Sequence, residues 1–212
     1  MNTRLVAHGV FSIISALFLV ANLHDKSEAA VLNFDDISKN DFSPISNNYG
    51  ELSWSNFYVQ NSFRVSGSGY DKGAISKPYV AFNGNGAAAS IKSNRKFDFN
   101  SAYLTSVWND NLNLTVEGLF NGVKKYSQIF ILNTKSPIFF NADYLGINEL
   151  IFSSFGGTNA SLGGRGTHFA LDNFSYNITQ VASPKKSVPE EISLVGIATF
   201  GLIGIRMNRK KC

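Results

Sequence analysis

From Val31 onward, no stretch of this chain carries apolar residues at sustained helical spacing. Period-two patterns and aromatic or β-branched runs recur instead, and these restrict the fold to strands. The pattern predicts strands over Val31–Phe34, Trp54–Val59, Tyr79–Phe82, Ile91–Asn94, Ala102–Trp108, Leu112–Phe120, Tyr126–Asn133, Ile138–Phe140, Glu149–Ser153 and His168–Ile178. The gaps between them hold Asn, Gly, Asp and Ser: NNYG at Asn47, GSGYDKG at Gly67, NGNG at Asn83 and FGG at Phe155. Such residues adopt positive φ or cap turns with their own side chains. The cleanest alternation is LNLTVEGLF from Leu112, with Leu112, Leu114, Val116 and Gly118 on one face. With Asn121-Gly122 behind it and YSQIFIL from Tyr126 ahead, this is the strongest hairpin candidate. Short strands, short turns and no crossover helices predict an all-β domain, a β-sandwich of jelly-roll type, with a closed barrel as the alternative.

Eighteen phenylalanines, most within the expected strands, supply the material for packing between sheets. The glycine-rich stretches GSGYDKG and FGGTNASLGG match no phosphate-binding loop and read as flexible surface loops.

The two ends carry a different signal. Arg4, the apolar run from Val10 to Ala21, and small residues at Ser27 and Ala29 read as a cleaved signal peptide over residues 1–29. The β domain then occupies residues 30–181, and the polar, proline-marked residues 182–187 form a linker. Residues 188–212 contain Val188-Pro189-Glu190-Glu191, the apolar run Ile192 to Ile205, and a basic end with Arg206, Arg209, Lys210 and Lys211. As a helix, that run spans about 21 Å, short of a hydrocarbon core of about 30 Å. The segment is expected to engage a membrane, with the basic cluster cytoplasmic and the domain outside.

The net charge is +4, and the one dense group of basic residues is Arg206, Arg209, Lys210 and Lys211 at the end of this tail. The middle of the chain mixes both signs without a basic cluster, so nucleic-acid binding is not expected. The single cysteine, Cys212, allows no internal disulfide. Of three histidines, only His168 survives signal removal, and it reads as an exposed or edge-strand residue. No nucleophile elbow accompanies it, and the scattered acids cannot be paired from sequence, so no catalytic residues are assigned.

The three-part tail resembles the PEP-CTERM sorting signal of Gram-negative bacteria, with Glu191 standing where that family has a second proline. The resemblance implies export to the cell surface or extracellular matrix. It also implies processing by an exosortase, a membrane protease-transferase linked to exopolysaccharide production. Within the domain, LNFDD near Val31, Tyr49-Gly50 with Trp54, FDFNSAYLTSVW, NLTVEGLFNG and the closing FALDNFSY are similar to segments of proteins carrying such tails. In them this region looks like a jelly roll similar to carbohydrate-binding and galactose-binding-like domains. Binding modules of that kind commonly hold a calcium ion between the first and last strands, and Asp35, Asp36, Asp172 and Asn173 resemble that arrangement.

The expectation is a non-enzymatic surface protein that binds polysaccharide, with Trp54, Tyr58, Tyr70, Tyr79 and Trp108 as candidates for stacking on sugar faces. A secreted glycoside hydrolase or lyase, and a structural adhesin without a defined ligand, are the alternatives.

Overall fold

The computed structural model describes residues 29–37 and 40–178. The strands in chain order are β1 (Ala30–Leu32), β2 (Ser43–Pro44), β3 (Ser53–Ser55), β4 (Phe57–Asn61) and β5 (Tyr79–Asn83). After them come β6 (Ala89–Ser106), β7 (Asn109–Asp110), β8 (Leu112–Phe120) and β9 (Val123–Leu132). The last are β10 (Ile138–Phe155), β11 (Thr158–Asn159) and β12 (Phe169–Ile178). One short helix, α1 (Gly69–Gly73), lies between β4 and β5. The expected signal peptide, apart from Ala29, falls outside the described residues, as do the linker and the sorting segment.

The strands form an all-β sandwich. Hydrogen-bonded neighbours run β2-β4-β5-β12-β6-β10-β8-β9, with β1 on β12 and β3 on β6, while β7 and β11 make a separate pair. All described pairings are antiparallel. The path ends at β2 and β9, so the sheet is open rather than a closed barrel. Its inner faces meet across the core: Phe57 of β4 packs edge-on to Phe152 of β10 at 5.6 Å, and Trp54 of β3 to Phe174 of β12 at 5.8 Å. Neither pair lies on adjacent strands. The phenylalanines carry this core as expected, with Phe34, Phe97, Phe99, Phe140, Phe152, Phe169 and Phe174 all fully buried.

The β8–β9 hairpin lies where the alternation places it. Leu112, Leu114, Val116 and Gly118 are buried, and the intervening residues are half-exposed. Asn121 and Gly122 have φ of 51° and 77°. Positive φ at both central residues is the signature of the type I′ turn, whose twist matches that of the flanking strands.

Four expected strands are joined into two. Ile91–Asn94 and the first five residues of Ala102–Trp108 belong to the single 18-residue strand β6, and Ile138–Phe140 and Glu149–Ser153 to the equally long β10. The polar residues Lys92–Lys96 do not end the strand. They bulge instead, because Lys92 pairs with Glu149 and Phe97 with Ile147. On β10, Asp143 and Gly146 take positive φ beside two further register shifts. Bulges of this kind bend a strand while the ladder continues on either side. The opposite error occurs at Trp54–Val59, which Asn56 at φ 57° divides into β3 and β4.

Candidate functional site

Strands β4, β5 and β12 have two apolar faces. Phe57, Val59, Ala81, Phe169 and Leu171 point into the main core. The alternate residues Val80, Phe82 and Ala170 form a second buried cluster on the outer face with Tyr70, Ala74 and Val107, and Tyr58 and Trp108 pack against it. This is why β5 is buried along its whole length. The covering layer is the segment around α1, so GSGYDKG is not a surface loop. Gly69 lies so close to β6 that a Cβ there would stand 1.8 Å from the Ser106 carbonyl oxygen. Only glycine permits that approach.

The covering layer leaves one part of the outer face open. Phe42, Tyr58, Phe82, Gly84, Asn85 and His168 line a groove of about 250 Å³. Phe82 forms its floor and is only 3% exposed. Around it stand Phe42 at 6.0 Å and nearly perpendicular, Tyr58 at 5.8 Å and tilted by 36°, and the His168 ring at 6.1 Å. Tyr70 of the covering layer packs edge-on against Phe82 at 5.1 Å.

Phe42 forms the lip. Its side chain is 63% exposed and its φ is 58°, a conformation rarely adopted by a bulky residue. The backbone is held there by Phe42 N donating to the Val59 carbonyl at 2.9 Å. The preceding Asp41 accepts from Asn61 N and pairs with Arg64. An exposed aromatic in a strained but pinned backbone is a common attribute of a binding surface.

The opposite wall is the turn 84–86, which packs flat on Tyr58. A Cβ on Gly84 would stand 2.4 Å from the Tyr58 ring. Two amides pin this turn. Asn83, fully buried, donates to the Ala87 carbonyl and to Ser154 Oγ, and accepts from Phe169 N. Asn56 donates to the carbonyls of Gly84 and Ala88. Thr167 adds a hydroxyl bond to the Gly86 carbonyl at 2.9 Å. His168 closes the site with its Nδ1 buried and without a hydrogen-bond partner. Desolvation lowers the His168 pKa, against a weaker opposing effect of the Arg165 carbonyl. The imidazole is therefore neutral at pH 7.

Of the five stacking candidates, the structure brings only Tyr58 to this groove. Trp54 and Tyr79 are buried in the main core and Tyr70 in the outer-face cluster, so none of these three rings can meet a sugar face. Trp108 is half-buried, with Tyr70 edge-on at 5.6 Å and Gly164 laid against its ring. Phe42, Phe82, Asn85 and His168 line the groove without being among the stacking candidates. Asn85 was visible as the residue between two glycines in NGNG.

At the β1–β12 end, Asp35 Oδ1 accepts from Tyr79 N at 2.8 Å and Asp36 Oδ1 from the Tyr49 hydroxyl at 2.8 Å. Asp172 is fully buried and accepts from Ser76 N at 2.9 Å, from the Ser76 hydroxyl, and from Asn173 N. Desolvation pushes the Asp172 carboxyl up to about 7, outweighing these donors, which favour the charged form. Asn173 stands at a register shift in β12 with φ 48°. Among the described residues, no three carboxylate, histidine or cysteine side chains gather as a metal site would require. The acids serve as hydrogen-bond acceptors within the fold.

No family model and no curated protein matches this chain. Among solved structures, it is similar to TmCBM61 in complex with β-1,4-galactotriose, at 7% identity and a TM-score of 0.36, over 66% of this chain and 99% of that one. It is also similar to the agarase AgWH50C, at 12% identity and a TM-score of 0.35, over 66% of this chain but only 26% of the agarase. At such low scores these likenesses assign neither ligand nor activity to the groove.

Proposed function

We propose that this is an exported, non-enzymatic polysaccharide-binding protein of a Gram-negative cell surface or extracellular matrix, and that it holds sugar in the Phe42–Tyr58–Phe82 groove. The observation that carries the reading is an open aromatic groove with polar residues at its rim. A pyranose ring has an apolar C–H face and a polar edge, so it suits a site with aromatic walls and a few fixed hydrogen-bonding groups. The volume of about 250 Å³ falls just below the roughly 300–1,000 Å³ usual for small-molecule sites. It suits one sugar ring of a longer chain. None of the six lining residues is a carboxylate, whereas glycoside hydrolysis ordinarily takes a facing pair. Binding is therefore the better reading than hydrolysis.

Retention of the full-length protein on insoluble polysaccharide tests this. Phe42→Ala and Tyr58→Ala should each weaken retention about tenfold or more while leaving the circular dichroism spectrum unchanged. Retention unaffected by both would remove the groove from the proposal.

The tail completes the reading through its resemblance to the sorting signal. Val188 to Glu190 and the cluster Arg206 to Lys211 would direct the protein to a membrane and to an exosortase-like enzyme. Mass spectrometry of the mature C-terminus distinguishes a cleaved protein from one still anchored through Cys212. A calcium ion held by Asp35, Asp36, Asp172 and Asn173 is a further proposal, tested by whether calcium raises and chelator lowers the melting temperature.

A further inference from the structure

We infer that Asn85 is the specificity-determining residue of the groove, and that it selects uncharged pyranose units bearing two adjacent free hydroxyls. This rests on the groove being the sugar site and adds the chemistry of the ligand to it.

The argument begins with the turn. Asn83, Asn56 and Thr167 fix the backbone on both sides of Asn85 through the carbonyls of Gly84, Gly86, Ala87 and Ala88. Asn85 itself sits at φ 54° on this pinned frame, exposed, and its side-chain amide makes no hydrogen bond among the described residues. A rigid backbone that presents an unengaged amide beside an aromatic floor is preorganised for a polar ligand edge. A primary amide has an acceptor oxygen and a donor nitrogen side by side. Adjacent hydroxyls, one donating and one accepting, match that pair, while an isolated hydroxyl uses half of it.

The charge of the site sets the second half of the inference. Phe42, Tyr58, Phe82, Gly84 and Asn85 include no carboxylate, ammonium or guanidinium group. His168 is neutral at pH 7, for the reason given above. Arg64, near the lip through Asp41, is already paired with that carboxylate. A uronate carboxylate would lose hydration among these lining side chains, none of which is a lysine or arginine to pair with it, which is costly. Neutral hexopyranosyl polymers are the class that fits.

Affinity electrophoresis of the full-length protein through gels containing galactomannan, 4-linked galactan, glucomannan or polygalacturonate tests this. The wild type should be retarded by at least one of the three neutral polymers and not by polygalacturonate. Two variants at Asn85 remove the amide: Asn85→Ala, and Asn85→Gly, which tolerates positive φ without strain. Both should bind about tenfold more weakly, with melting temperatures within a few degrees of wild type. Phe42→Ala serves as the control for the groove. Wild-type binding that is lost in Phe42→Ala but unchanged in both Asn85 variants would overturn the role of Asn85 and leave the groove standing. Retardation by polygalacturonate as strong as by a neutral polymer would overturn the ligand class. No retardation by any neutral polymer would overturn the groove reading itself.

Discussion

Replacing Val116 with Asp is expected to destabilise the domain by about 4 kcal/mol, and by no less than about 2. Val116 lies in β8 with no exposure, between Leu114 and Gly118 on the inward face. Its neighbours across the ladder are Gln128 of β9 and Phe152 of β10. The main core around it is built of Phe, Leu and Ile side chains, so a carboxylate placed there would be desolvated without a partner. The adjacent Glu117 gives the control. It faces the other way and pairs with Lys124 at 2.8 Å on the surface, where an ion pair contributes little. Glu117→Ala should therefore change stability by no more than about 0.5 kcal/mol. Urea denaturation of the three proteins checks both values. Equal, small losses at the two positions would mean that the register of β8 is wrong.

The second large effect is a dependence of stability on pH centred on Asp172. Its carboxyl is raised to about 7 in the folded protein from the ordinary aspartate value of 3.8, because it is buried on β12 under the Ser76 segment. Between these values the folded state binds more protons at this site than the unfolded state does. The stability it contributes is therefore fully present below about pH 4 and is lost as pH rises through 7. A shift of this size corresponds to a few kcal/mol. Asp172→Asn replaces the titrating group with one that is neutral at every pH. The wild type should lose a few kcal/mol relative to this variant between pH 4.5 and pH 8, as read from urea midpoints at several pH values. Parallel profiles for the two proteins would show that Asp172 does not titrate in this window.

Much of this architecture is legible in the sequence, and the reasons are specific. The β8–β9 hairpin is marked twice, by strict alternation and by Asn121-Gly122, so its face and its turn agree with the structure. The continuity of β6 is not legible. Lys92–Lys96 is as polar as a turn, and only its pairing context shows that it bulges within a strand. The site is harder still. Alternation separates two faces of a strand but does not say which face a later segment will cover. Tyr70 and Tyr58 look equally available in sequence, yet α1 buries Tyr70 against Phe82 and leaves Tyr58 at the groove. Phe42 stands in a polar, proline-containing stretch away from any strong strand pattern, so nothing local marks it as a lip residue. His168 read as an edge residue, and its place beside Phe82 depends on the pairing of β12 with β5.

The central claim, that the outer-face groove is where sugar is held, is tested most directly by hydrogen–deuterium exchange of the full-length protein. Exchange is read with and without agarose, galactan or glucomannan oligosaccharides. The account predicts slower exchange in peptides covering residues 41–44, 82–88 and 165–169 with at least one of these neutral ligands. It predicts no change in β9, residues 123–132, which lies at the far end of the strand order. Protection elsewhere with these three segments unchanged, or no protection with any of the ligands, would contradict it.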